Sequence, residues 1–349
     1  MREPAQTGAA QEGRLHARSG HPWQFWSAPL ILAVASLAVF IASFWISPQW
    51  LFSLQQIVAF SLFAVATNLL VGYGGLVSFG QAVFYGLGAY TVALGWQHFN
   101  APFWLLFILA PIIGAAAAAV IGALSLRTRQ WYFALLTLAF SQLFFTIANR
   151  WYHFTNGENG VFGAMIPTPL ADPEHGLWFV LGISFLALLV LWAIVVSPFG
   201  LTLRASRDNP QRIEALGINL RRHQLYAFII SGAFCGLAGA LFVVHDQSAF
   251  PGLFLWTTSG EPILMSMIGG LNYFLGPVLG AIIFILAHNY LVANAANFWE
   301  LILGAVLIAI VLFSPDGLLG LGREYGSKLS LLSRLRAHPN ADPHRQPPP

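Results

Sequence analysis

Charge is what this sequence lacks. Only 8% of its 349 residues are Asp, Glu, Lys or Arg, while 57% are hydrophobic. A soluble domain carries roughly 25% charged residues, so a water-exposed globule is excluded. Cysteine is nearly absent too. Cys235 stands alone inside an apolar stretch, which rules out an intrachain disulfide and argues against a cysteine-based metal site. No GxxxxGK[ST] phosphate loop occurs, so this chain holds no nucleotide by that device. The nearest string, Gly326-Ser327-Lys328, lacks the preceding glycine and strand. No Asn-x-Ser/Thr acceptor occurs, and no Ser/His/Asp or paired-carboxylate set is placed for catalysis. Ionisable residues are scarce within the apolar runs, whereas ion-coupled carriers rely on such residues inside the bundle.

What is present is a series of long apolar runs. Ten spans of membrane-crossing character fall near 28–47, 51–71, 76–96, 103–125, 130–149, 177–197, 223–245, 259–271, 277–293 and 299–313. A transmembrane helix needs about 20 such residues, and a barrel would instead alternate over about 10. The expected fold is therefore an all-α polytopic integral membrane protein of about ten transmembrane helices. Residues 1–27 and 316–349 read as flexible tails around a membrane domain at 28–315. The first span, long and preceded by a polar tail, reads as an anchor rather than a cleaved signal peptide.

The basic residues orient the chain. With both termini in the cytoplasm, fifteen of the 16 basic residues lie inside and only Arg150 lies outside. The positive-inside rule favours that arrangement. It makes 198–222 a cytoplasmic loop and 150–176 a periplasmic one. The net charge of +3 is then an orientation signal rather than a nucleic-acid signal.

Two glycine-rich stretches interrupt the helical pattern, GYGGLVSFGQ at 72–81 and IGGLNYFLGP at 268–277. From Ser259 to Gly270 is about 18 Å of helix, short of the roughly 30 Å hydrocarbon core. Interrupted helices in both halves point to a translocation path, though each stretch also fits a cytoplasmic turn. The path candidates are Asn68, Gly74, Gly75, Ser78, Gln81, Glu261, Gly269, Gly270, Gly276 and Pro277. Glu261 has a second reading, an acid in the first turn of a helix capped by Ser259. Small residues at fourfold spacing, Ser78/Ala82/Gly86, Gly114/Ala118/Gly122 and Gly232/Gly236/Ala240, predict helices packed inside the bundle.

The polar exception is Pro198 to His223, which holds Arg204, Arg207, Arg212, Arg221 and Arg222 with Asp208 and Glu214. Asn209 to Leu216 reads as a short helix, with Pro210 at its first position and Gly217 as its stop. Ile213 and Leu216 on one face, flanked by Arg212 and Glu214, read as a docking surface for a partner.

Six blocks in order resemble the permeases of branched-chain amino acid ABC importers, over about residues 50–315. They are NLLVGYGGLVSFGQAVFYGLGAY (68–90), YFALLTLAFSQ (132–142), TNGENG (155–160), GLTLRASRDNPQRIEALGIN (200–219), GLAGAL (236–241) and GGLNYFLGPVLGA (269–281). Their order is similar to that of the LivM-type subunit. The resemblance implies a LivH-type permease partner, two cytoplasmic ATP-binding subunits, a periplasmic substrate-binding protein and a multi-pass place in a bacterial inner membrane. It implies that ATP and magnesium sit on partner subunits and that this chain binds no cofactor. It also implies a coupling helix within 204–217, made of Arg204, Arg207, Asp208, Arg212, Ile213, Glu214, Ala215, Leu216 and Gly217. Arg212 and Ile213 stand where the family loop often has two alanines.

The function expected is a transport subunit, not an enzyme, carrying branched-chain or related amino acids. A urea or short-amide permease of the same family, an ion-coupled secondary transporter and a membrane-embedded enzyme are the alternatives.

Overall fold

The computed structural model describes residues 22–128, 130–163 and 166–294, together with 298, 301–302, 304–305, 308 and 317–320. The expected tenth span and both tails fall mostly outside the described residues.

The described residues are helical nearly throughout. We number the helices α1 (Pro22–Ala42), α2 (Pro48–Asn68), α3 (Gln81–Phe99), α4 (Phe103–Ser125), α5 (Gln130–Arg150), α6 (Tyr152–Thr155), α7 (Thr168–Ala171), α8 (Pro173–Val196), α9 (Pro198–Asp208), α10 (Pro210–Ala215), α11 (Leu220–Asp246), α12 (Trp256–Gly269) and α13 (Gly276–Asn294). A π turn, Leu69–Tyr73, extends α2. Among the described residues, six helices are long and apolar enough to cross a membrane: Pro48–Tyr73, Phe103–Ser125, Trp131–Arg150, Pro173–Val196, Leu220–Asp246 and Gly276–Asn294. The chain is thus an all-α polytopic membrane protein. Its short β-pairing joins Val161–Phe162 to Ser248–Ala249, antiparallel, at the end of the bundle away from the polar island.

Close packing follows the small residues. Between α4 and α11, a Cβ added at Gly114 would lie 2.5 Å from the Gly232 carbonyl oxygen, and one at Gly236 would lie 2.7 Å from that of Ala110. Between α3 and α11, a Cβ at Gly88 would fall on the Gly236 carbonyl and one at Gly239 on that of Tyr85. Two of the three stripes therefore face each other, and the third sets Gly86 under the Phe254 ring. In lipid, such backbone approach supplies the dispersion contact that holds helices together. α2 runs beside this block, buried continuously from Ala59 to Tyr73, with Phe63 stacked on Tyr85 at 4.5 Å.

Two helix starts differ from the expectation. α3 begins at Gln81, because residues 74–80 run non-helically through Gly75, whose φ is +65°. α12 begins at Trp256, directly after a 3-10 turn at Pro251–Phe254. Ser259 does not cap α12. Its Oγ accepts from the Ala82 N–H at 2.8 Å and so closes the first turn of α3.

Candidate functional site

The polar island folds into two short helices, and its local signals explain both. Pro198 opens α9, where a missing N–H leaves nothing unsatisfied. Gly200, Leu203 and Ser206 turn inward along one stripe. Asn209 ends α9 in an extended conformation and caps α10, its Oδ1 accepting from the Arg212 N–H at 3.0 Å. Pro210 follows as the first residue of α10. Gly217 stops it at φ +81°, in the left-handed region where an L residue is strained. The helix expected over 209–216 is present.

Ile213 inside α10 and Leu216 at its C-terminal end divide. Ile213 is 5% exposed and anchors the helix, whereas Leu216 is 71% exposed. This corrects the expectation that both face a partner. A six-residue helix makes too few internal bonds to stand alone, so one apolar side chain is spent on holding it to α9 and α11. Arg212, Glu214, Ala215 and Gly217 are exposed around Leu216, and Asp208 is exposed at the end of α9.

Arg204 and Arg207 reach the other way. The Arg207 Nη1 donates to the Gly72 carbonyl and to Asn272 Oδ1, the latter at 3.2 Å. The Arg204 Nη2 donates to the Asn272 carbonyl at 3.1 Å, and its Cζ lies 4.9 Å from the centre of the Tyr73 ring. Gly72 and Tyr73 belong to the first glycine-rich stretch and Asn272 to the second. Residues assigned from sequence to two separate roles thus form one site.

The stretches also bind each other. Asn68 Nδ2 donates to the Leu271 carbonyl at 3.2 Å. Gly269 and Gly276 touch backbone to backbone, a Cβ at either falling on the other side of the turn. Pro277 is buried beside them at the start of α13. The Arg207 Cγ lies 2.8 Å from where a Gly75 Cβ would stand, so only glycine leaves room for this arginine. Gly74, Gly75, Leu76, Ser206, Arg207 and Pro210 line part of a cavity of ≈ 340 Å³ at this end. Gly270 adopts φ +118° in the turn between α12 and α13.

The remaining path candidates lie deeper. Ser78 Oγ accepts from the Gly80 N–H at 3.3 Å. Gln81, 0% exposed, accepts at Oε1 from Ser231 Oγ and Cys235 Sγ, each at 3.2 Å, while its Nε2 has no partner. Sequence reading missed Thr137 and Ser141. Thr137 Oγ1 receives the Phe79 N–H at 3.2 Å, and Ser141 Oγ donates to the Phe254 carbonyl at 2.7 Å. Their spacing of four on α5 placed them on one face, but no single-sequence signal distinguished that face from a packing stripe.

Comparison with known proteins identifies the family. The family described as branched-chain amino acid transport system / permease component matches residues 49–311, which include the island and both glycine-rich stretches. The high-affinity branched-chain amino acid transport system permease protein LivM of Escherichia coli K12 is 28% identical over 291 residues, 75% of this chain and 68% of that one. A protein of Methanocaldococcus jannaschii named "Probable branched-chain amino acid transport permease protein LivH" is 27% identical over 171 residues, 43% of this chain and 52% of that one. The autoinducer 2 import system permease protein LsrC of Photorhabdus laumondii is 28% identical over 166 residues, 42% and 48%. No solved structure matches. With the family matched across three quarters of its length, this chain belongs to the branched-chain amino acid transport system permease components.

Proposed function

We propose that this chain is the LivM-type transmembrane subunit of an ABC importer for branched-chain or related amino acids in a bacterial inner membrane. In this reading about ten helices cross the membrane. Both termini and the 198–222 loop are cytoplasmic, and 150–176 faces the periplasm. The partners are a LivH-type permease, two cytoplasmic ATP-binding subunits and a periplasmic substrate-binding protein. ATP and magnesium act on the ATP-binding subunits, so this chain is no enzyme. The importers work by alternating access, in which the bundle opens to one side and then the other.

One observation carries the reading: the same arginine-bearing helix touches both glycine-rich stretches. A push on α10 reaches α9 through Asn209 and Pro210. It then reaches both stretches through Arg204 and Arg207. Leu216, flanked by Arg212 and Glu214, is the contact offered to the ATP-binding subunit. Leu216→Asp tests it by co-purification from native membranes. The wild-type chain should bring down a second permease and an ATPase pair, while the variant, still inserted and bound to the permease, should lose the ATPase. A wild-type chain that is functional and purifies alone refutes the importer reading. An ATPase retained by Leu216→Asp refutes the docking role of this loop.

A further inference from the structure

Among the described residues, Glu261 is the carboxylate placed at mid-height of the bundle. Four hydrogen bonds fix that height. Ser259, two residues before it, receives the Ala82 N–H. The neighbouring Gln81 is held by Ser231 and Cys235, the twelfth and sixteenth residues of the 27-residue α11. Phe254, just before α12, is held by Ser141, the twelfth residue of the 21-residue α5. α12 is therefore a half-helix that starts in the middle of the membrane and ends at the island.

Glu261 lies in the second turn of α12, past the first turn where the helix dipole favours an acid. Glu261 is partly buried, and the adjoining face of the helix is open. Trp256 is 46% exposed, Thr257 is exposed, and a Cβ added at Gly260 would meet nothing within 4 Å. A partly buried carboxylate beside an open face at this depth is expensive against lipid and is at home against water or a charged solute. It makes no ion pair or hydrogen bond with another described residue. Pro262 follows it inside the helix and carries no N–H, so the Thr258 carbonyl lacks its i+4 donor. The Tyr85 hydroxyl, fully buried and without a partner, lies within electrostatic reach of Glu261. The first amides of α12 stand one turn away with no side-chain cap.

We propose that this half-helix start is a solute subsite in the transport path, in which Glu261 and the Thr258 carbonyl receive a primary ammonium group. The uncapped amides suit the carboxylate of the same zwitterion, because helix N-termini attract anions. Two acceptors with a single charge fit an ammonium better than a metal ion, which takes six or more oxygens if calcium. The proposal rests on the importer reading and names what its path recognises.

The test uses the complete importer in proteoliposomes, with leucine-loaded binding protein as the probe. Glu261→Gln keeps the shape and removes the charge. The KM for leucine uptake should rise about 10- to 100-fold, the loss of a charged hydrogen bond. Glu261→Asp, which keeps the charge, should recover part of the loss. In a Cys235→Ser background, Glu261→Cys should react with a cationic methanethiosulfonate, and turnover with leucine should slow that reaction. A wild-type KM in Glu261→Gln, or no labelling at 261 in any nucleotide state, overturns the subsite. A wild-type complex that imports no amino acid sinks the importer reading instead. The labelling still decides in that case, since a position no aqueous reagent reaches cannot line a path.

Discussion

Gly75→Ala is the smallest change that separates the arginine staple from mere glycine flexibility. At φ +65°, an alanine costs about 1–2 kcal/mol from its own backbone. Its Cβ would also lie 2.8 Å from Arg207 Cγ, so the arginine must swing away from the Gly72 carbonyl and Asn272. Hydrogen bonds to charged groups contribute about 1.5–3 kcal/mol each. Arg207 is largely exposed, and solvent screening reduces that to about 1 kcal/mol for the pair. The total is about 2–3 kcal/mol, roughly a 30- to 150-fold change in the equilibrium. In an Arg207→Ala background the Cγ is gone and only the backbone term remains. The two losses should therefore overlap by about 1 kcal/mol. Unfolding of the purified chain in mixed micelles, followed by helical circular dichroism, measures each corner of the cycle. Uptake should fall in step. Losses that add within about 0.3 kcal/mol, the behaviour of independent sites, would refute the contact as the reason Gly75 is glycine.

Two further outcomes are expected. Gly239→Val should prevent assembly, since its Cβ falls on the Tyr85 carbonyl and backbone has no rotamer to escape into; the chain should be lost from the monodisperse peak on size exclusion. In intact cells, with Cys235→Ser, a cysteine at Thr168 should react with an impermeant reagent and one at Asn209 should not, and the opposite pattern reverses the proposed orientation.

Local features were readable from sequence and distant pairings were not. The α10 helix was visible because Asn209, Pro210 and Gly217 each impose a backbone preference on their own position. The stretches at 72–81 and 268–277 were visible because glycine and proline interrupt an apolar period. That Arg207 joins them was hidden, because 135 residues separate it from Gly72 and nothing in a single sequence encodes that pairing. Ser259 misled for a related reason. A serine before an apolar run is a good cap signal, yet the helix it closes is α3, reached only through folding. Ile213 and Leu216 looked alike as apolar residues on a polar helix, and only the packing of α10 against its neighbours tells anchor from offered surface.

The glycine contacts around α11 also constrain biosynthesis. α3 and α4 leave the ribosome early, and the surface that fits their small residues does not exist until α11 follows. Two more spans and the entire polar island must be made in between. Until then Gly88 and Gly114 lie open to lipid or to whatever escorts the nascent chain. A partner subunit or insertase that shields them meanwhile protects the stage most exposed to misassembly. A stop codon anywhere before α11 leaves Gly88 and Gly114 without the helix they pack against.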